Sequence, residues 1–576
     1  MTLVDVLRER AADGAERGYR FVSDGKVPPM SLSYMELDRR ARDVAAELSL
    51  LAPQGARAIL LYPPGLEFVV AFFGALYAGV APVPVYPPSG ADLRHALSRL
   101  EHVIADARPE ALLTTGALLA ANESAGLVDT PAGARWMATD RVCPGSGDGW
   151  KPPRVLDGDV AFVQYTSGST AMPKGVVVRH RHLMANLEAI RAAMKLSADT
   201  TAVGWVPSYH DMGLVGFILE ALYAGFSSYL MAPQDFLRRP ALWLETISRF
   251  GGVVSGGPNF GFDLCTRRVD DADRDRLDLS SWRVAFSGAE KIRPDVLRRF
   301  ARRFSSVGFD ANAMFPCYGL AEASLFVSGA QYGNGVGTAW ISRSALENDR
   351  AEPAEPDASG AVEIASCGRV ADGHRVVIVE PTTGRPLGPD RVGEVWFAGP
   401  SVTSGYWRRR DESDDVFGAV LANGGEPFLR TGDLGFLRDG DLYLTGRRKD
   451  LMVVRGRNIY PADVEEAAQA VDSRLRPGCG ASFLADGDSS NLVLVQETSE
   501  QDDAELAELA SAVRRAVFER LEVGVDDVVF IRPRSVAKTS SGKLRRHACR
   551  ADYRAGALDV VFPLRGTGSR VEPAEA

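Results

Sequence analysis

The sequence predicts an α/β fold in two unequal parts, and three observations carry that prediction. The chain has 576 residues, too many for one hydrophobic core, so two or more domains are expected. From about residue 30 to residue 450, short apolar runs alternate with amphipathic stretches of helical period, as in stacked layers of strand and helix. Around 439–461 this alternation gives way to a turn signal and a charged stretch. The residues beyond suffice for a compact α+β domain of roughly a hundred residues.

Phe68 to Val85 (FVVAFFGALYAGVAPVPV) is 18 residues without a charge, interrupted by two glycines and two prolines. Neither a basic flank nor an aromatic belt accompanies it, so it reads as a buried helix running into a buried strand, without integral membrane association. Val160 to Tyr165 reads as a strand, Thr166 to Thr170 as a polar turn and Val176 to Val178 as a second strand. A helix follows, with Leu183, Leu187, Ile190 and Met194 on one face. Asp439-Gly440 is a turn signal before Leu442-Tyr-Leu, and Gly446-Arg-Arg-Lys-Asp450 reads as exposed. Strands are expected at 451–454, 491–496 and 528–532, with a helix carrying Leu506, Leu509, Val513, Val517 and Leu521 on one face. Pro563 to Ala576 has little to bury and is expected to be disordered. The expected division is a large domain over 1–447, a small one over 448–562 and a tail over 563–576.

A formal net charge of −9 argues against nucleic-acid binding, which needs a basic face. Six cysteines stand apart, without a C-x-x-C pair or zinc-ligand spacing, so free thiols in a reducing cytoplasm are expected. The first ten residues have early acids and no apolar core, so no signal peptide is read there. Only eight of the 66 basic residues are lysines. That draws attention to them, because arginine does not copy an ammonium's compact charge.

Tyr165-Thr-Ser-Gly-Ser-Thr-Ala-Met-Pro-Lys-Gly175 is the strongest local feature. Small hydroxyl residues around a glycine let backbone N–H groups approach phosphate oxygens. Thr166, Ser167, Gly168, Ser169 and Thr170 would line such a loop and Lys174 would supply positive charge. The order of a Walker A loop is absent, and taken alone the segment also suits an ordinary surface turn.

This segment resembles the phosphate-loop signature of the acyl-adenylate-forming superfamily, which includes acyl-CoA synthetases, nonribosomal-peptide adenylation domains, luciferases and fatty acyl-AMP ligases. Further segments resemble its motifs in order over roughly 30–550. Trp205-Val-Pro-Ser-Tyr-His-Asp-Met-Gly213 resembles the substrate motif, implying that His210 borders the acyl entrance. Ser287-Gly288-Ala289-Glu290 and Cys317-Tyr318-Gly319-Leu-Ala-Glu322 resemble the adenine and magnesium motifs, with Glu322 the implied Mg²⁺ ligand. Leu429-Arg-Thr-Gly-Asp433 resembles the ribose motif, and Gly446-Arg447-Arg-Lys449-Asp450 a hinge whose Arg447 and Lys449 would serve the nucleotide. Thr539-Ser-Ser-Gly-Lys543 resembles the motif of a catalytic lysine, here expected on an exposed, moving loop. The resemblance implies layered α/β subdomains, a small β-barrel-like subdomain and a small mobile α+β C-terminal domain.

The wording of several motifs points to the fatty acyl-AMP ligase branch, Gly257-Pro-Asn-Phe260 and Ser366-Cys-Gly-Arg369 among them. So does a long gap after Glu322, where about 331–361 looks like that branch's insertion and is expected as a surface subelement of the large domain. Two residues depart from the pattern: Lys291 replaces a proline and Ile459 a histidine. The resemblance implies activation of a fatty acid by ATP and Mg²⁺ to acyl-AMP. The acyl group would then pass to the phosphopantetheine thiol of an acyl carrier protein or a carrier domain of a polyketide or peptide synthase. A fatty acyl-CoA synthetase and a non-catalytic adenylate-binding scaffold are the alternatives.

Overall fold

The computed structural model describes residues 1–23, 28–88, 93–126, 128–129, 131, 133–166, 173–454, 457–485, 491–538 and 543–564. Its largest sheet has nine strands. Six run parallel, in the order Met314–Gly319, Val284–Ser287, Val254–Gly257, Thr201–Gly204, Ser227–Met231 and Gly18–Val22. Antiparallel strands close both edges, Phe326–Gly329 with Arg369–Val370 on one side and Met30–Ser33 on the other. Parallel strands are covered on both faces and therefore read as continuous apolar runs. Val284–Ser287 is such a strand, buried at every position.

A second, four-stranded parallel sheet holds Ala81–Val85, Arg57–Leu61, Ala111–Thr114 and Arg135–Ala138. The uncharged segment noted above supplies the buried helix Leu66–Tyr77 and its buried edge strand Ala81–Val85. Beside that strand lies the hairpin Val160–Thr166 with Lys174–Arg179, followed by the helix His180–Met194. The β-barrel-like subdomain is built on an antiparallel meander of Arg375–Val379, Gly393–Ala398, Leu429–Arg438 and Asp441–Arg447. Asp439 and Gly440 join the last two strands with φ of +54° and +86°, the left-handed pair a tight hairpin demands.

The C-terminal part packs the helices Pro461–Gln469 and Asp503–Leu521 on a mixed sheet of Leu475–Leu484, Leu492–Thr498, Asp527–Ile531 and Val560–Leu564. The helix buries the five apolar residues expected of it. Two expectations need correction. Leu475–Leu484 is a strand with an irregularity between Leu475 and Gly480, masked in the sequence by turn-like Pro-Gly-Cys-Gly. Pro563 and Leu564 pair with Val529 and Val528, so the sheet extends past 562; residues 565–576 lie outside the described part.

The 331–361 stretch is also more than a surface addition. It forms the strand Thr338–Ser342, paired with Ala361–Ala365, and the short helix Arg343–Leu346. Ile341, Leu346 and Ala351 are buried in one core with Leu434, Phe436 and Tyr443 of the meander and with Tyr460 of the small domain. Among the described residues no helix is long and apolar enough to cross a membrane.

The buried His180 tests the packing of the N-terminus. Its Nδ1 accepts the Leu3 N–H at 3.3 Å, and burial pushes its pKa down to about 4. A depressed histidine stabilises the fold fully above its unfolded pKa, and the gain is lost as pH falls from about 6.5 towards 4. Stability should therefore fall there by up to about 1.4 kcal/mol per pH unit from this group. Urea unfolding of His180→Asn, which keeps an acceptor but cannot titrate, should show a shallower slope across that window. An unchanged slope would refute the assignment.

Candidate active site

Ligands of open parallel sheets collect at the carboxyl ends of the strands. There a cavity of about 1430 Å³ lies between the sheet and the C-terminal part. The chain leaving Val284–Ser287 supplies Gly288, Ala289 and Glu290 to its wall, and the neighbouring Met314–Gly319 supplies Tyr318, Gly319 and, just beyond, Glu322. Ala289 holds φ at +72°, a strained conformation of the kind that clusters at functional sites. Gly288 allows close approach, since a Cβ there would meet Cys317 Sγ at 3.0 Å. Ser287 is fully buried behind the wall and does not line it. The Glu290 carboxyl accepts from Asn259 at 3.0 Å, and burial raises its pKa.

Asp433 sits opposite Arg447 in the meander. Its Oδ2 accepts the Tyr318 hydroxyl at 2.6 Å and its Oδ1 the Arg447 Nε at 3.0 Å. Burial and the neighbouring carboxylate push the Tyr318 pKa up, which keeps it a donor. A carboxylate has about four acceptor positions, so room remains for two further hydroxyls.

The Glu322 carboxyl is half-buried and accepts from the Tyr406 hydroxyl at 2.9 Å. Burial raises its pKa, and a cation beside it would favour the ionised form. Among the described residues no group of three or more potential metal ligands exists. One carboxylate nevertheless fits Mg²⁺, which takes one or two carboxylates and completes its shell with phosphate oxygens and water.

Lys174 does not line the cavity. Its ammonium pairs with Glu412 and lies 4.9 Å from the centre of the Tyr406 ring. The Trp407 N–H bonds the Gly175 carbonyl at 2.7 Å, which brings the Glu412 helix beside this strand. Thr166 lines the cavity; Ser167, Gly168, Ser169 and Thr170 lie outside the described residues. Lys449 is exposed and outside the cavity wall, whereas Arg447 and Asp450 are part of it.

His210 and Asp211 line the cavity with Nδ1 and Oδ1 2.6 Å apart. Burial alone would raise the Asp211 pKa, but His210, Lys543 and the Met212 N–H hold it at about 2. Lys543 corrects a further expectation. It is not exposed: it enters the cavity, where loss of water lowers its pKa against the opposing pull of Asp211, Glu290 and Asp433. Residues 539–542 before it lie outside the described part. The contributions of Asp211 and Tyr406 were not legible as roles in the sequence, since each acts through a partner visible only in the fold.

Residues 9–407 match the family model of the AMP-binding enzymes, and 449–561 that of the Disco-interacting protein 2-like AMP domain. The medium-chain-fatty-acid–acyl-carrier-protein ligase JamA of Moorena producens is 40% identical, over 97% of this chain and 96% of its own. The chain belongs to the AMP-binding enzyme family, in its fatty acyl-AMP ligase branch. The ligase is also 34% identical to the long-chain-fatty-acid–AMP ligase FadD32 of Mycolicibacterium smegmatis, over 95% of this chain and 93% of that one. A solved fatty acyl-adenylate ligase of Legionella pneumophila, in complex with acyl adenylate and pyrophosphate, matches with a TM-score of 0.76 and 33% identity. That match covers 98% of both chains. A structure from work on the E. coli and L. pneumophila enzymes matches with a TM-score of 0.87 and 34% identity, covering 96% of the ligase and 98% of that chain.

One arm of the cavity is apolar, lined by Ile190, Met194, Leu196, Phe286, Leu325 and Phe326. It has the character needed to accept an alkyl chain. The Asp433 reading is testable in the ligase. If Asp433 takes the ribose, Asp433→Asn should raise the KM for ATP several-fold and leave kcat nearly unchanged, because such contacts would be uniform along the reaction. An unchanged ATP dependence would make the Asp433 segment a turn and nothing more.

Proposed function

We propose that the ligase joins a fatty acid to ATP as acyl-AMP and then passes the acyl group to a phosphopantetheine thiol. That thiol would belong to a holo acyl carrier protein or a carrier domain. The observation that carries this reading is Lys543, held in the cavity amid Asp211, Glu290 and Asp433 beside an apolar arm. Bringing a carboxylate to the α-phosphorus joins two anions, so positioning and charge compensation dominate the task. In the first step a carboxylate oxygen bonds the α-phosphorus and pyrophosphate leaves. In the second the thiol sulfur bonds the acyl carbon, and AMP leaves as the thiol proton is lost.

In this reading Lys543 neutralises charge on the carboxylate and α-phosphate, and His210 borders the acyl entrance. Gly288, Ala289, Glu290, Tyr318 and Gly319 form the adenine wall, and Asp433 with Arg447 takes the ribose. Glu322 would hold Mg²⁺, whose chemistry is neutralisation of the phosphates. The six cysteines are free thiols, which suits work in a reducing cytoplasm.

Mass spectrometry of the acyl-AMP formed from a mixed set of fatty acids tests the first step. No adenylate from any of them would favour the scaffold alternative. Comparing holo carrier protein with CoA as acceptor tests the second, and preference for CoA would favour an acyl-CoA synthetase.

A further inference from the structure

The chain leaving Val284–Ser287 passes Glu290 in the cavity wall and is then held by one side chain. The Asn259 amide donates to the Glu290 carboxyl at 3.0 Å and to the Lys291 carbonyl at 2.8 Å, and its oxygen accepts the Arg293 N–H at 3.0 Å. Asn259 is buried, and a satisfied buried network of this kind is rigid, so residues 290–293 form a fixed edge of the large domain. From that edge the Lys291 ammonium reaches Asp463 of the helix Pro461–Gln469 at 2.9 Å. Arg293 stands 4.0 Å from Glu466, which lies three residues on along the same helix face. Arg343 takes the other oxygen of Asp463 at 3.3 Å, and all three side chains around that carboxylate are mostly buried. A buried ion pair adds little to stability once its lost hydration is counted; its best-supported use is to fix register, since another seating leaves a charge unpaired. The same helix also leads back to the cavity. Glu465, two residues from Asp463 and so on another face, takes the Arg546 guanidinium through two bonds of 2.7 Å. Arg546 opens the helix Arg546–Ala555, three residues after Lys543. The contacts run in one line from the wall loop, through the helix, to the segment that carries the cavity lysine.

We propose that Lys291 is a positioning residue for Lys543: by seating Asp463, it sets where the small domain holds that ammonium in the cavity. The proposal rests on the adenylating function above. Lys291 stands where the family pattern has a proline, which offers no charge, so this seat is not part of that pattern. Its ammonium is committed to Asp463, so its task is geometry at the reacting atoms and not affinity for substrate. Misplacing a catalytic group by about 1 Å can cost about a hundredfold in rate.

ATP–pyrophosphate exchange by the full chain tests this. Lys291→Met should slow acyl-AMP formation at least about tenfold and leave the KM for ATP close to unchanged. Lys291→Arg, which can still pair with Asp463, should restore most of the rate. The melting temperature of Lys291→Met should stay close to the unsubstituted chain's, since Arg343 still pairs with Asp463. In a Lys543→Ala background Lys291→Met should cost almost nothing more, because the two losses share one cause. Equal losses in both backgrounds would make Lys291 an independent contributor and overturn the positioning role, as would an unchanged rate in folded Lys291→Met. Hydrogen exchange over Pro461–Gln469 reads the seat without turnover and should quicken in Lys291→Met; unchanged protection there would also overturn the proposal. A chain that shows this quickening but adenylates no fatty acid would sink the functional reading and leave the seat standing.

Discussion

Lys543→Ala should lower the rate of acyl-AMP formation at least about a hundredfold, the effect of losing about 3 kcal/mol of charge stabilisation in a site that excludes water. The ammonium shares the cavity with Asp211, Glu290 and Asp433, and loss of water there lowers its pKa against their pull, so its charge is poorly screened. Folding should suffer little, because holding a cation in the cavity costs about as much in lost hydration as its neighbours return. The pH profile offers a second readout. Its pKa lies below the ordinary lysine value, so as pH rises the charge, and with it acyl-AMP formation, is lost earlier than a free lysine would allow. Lys543→Arg should not rescue fully, since a guanidinium is planar and larger where a point charge is wanted. Near-normal acyl-AMP formation by a folded alanine variant would refute the role.

What the sequence made legible was whatever depends on local pattern. The Phe68–Val85 run, the face of Asp503–Leu521 and the Asp439-Gly440 turn each carry their own signal in period or residue type, and each stands where it was expected. The ordered motifs also converge: Glu290, Tyr318, Glu322, Asp433 and Lys543 line one cavity. Illegible was whatever depends on which segments meet. Tyr406 holds Glu322 from 84 residues away, and no spacing rule announces such a pair. Lys174 reads as a free phosphate cation until the fold places Glu412 beside it. Lys291, a departure from the family pattern, acquires a purpose only when its ammonium meets Asp463 of the small domain at 2.9 Å.

The 331–361 stretch should govern the acceptor and leave adenylation alone. It contains none of the nucleotide-facing residues, yet it grips the small domain at three places. Glu347 takes both ends of the Arg457 guanidinium at 2.7 Å, Asp349 accepts from Asn458 at 3.1 Å, and Arg343 reaches Asp463 at 3.3 Å. The Glu347 side chain is only 9% exposed, so its pairing with Arg457 is no loose surface contact, and removing one partner leaves the other unpaired. On the proposed reading the small domain rotates to reach the pose for thiol attack, and these contacts would have to break first. About 1.4 kcal/mol of bias against rotation already slows the second step tenfold. Deleting the stretch would also remove Ile341 and Leu346 from the core shared with Tyr460, so substitution separates grip from folding better than deletion. Glu347→Gln combined with Asp349→Asn should keep acyl-AMP formation near normal and raise acyl-CoA production about tenfold or more over the unsubstituted chain. A folded double variant that still makes acyl-AMP and still ignores CoA would show that CoA is excluded by the lack of a pocket for its nucleotide end, and not by this grip.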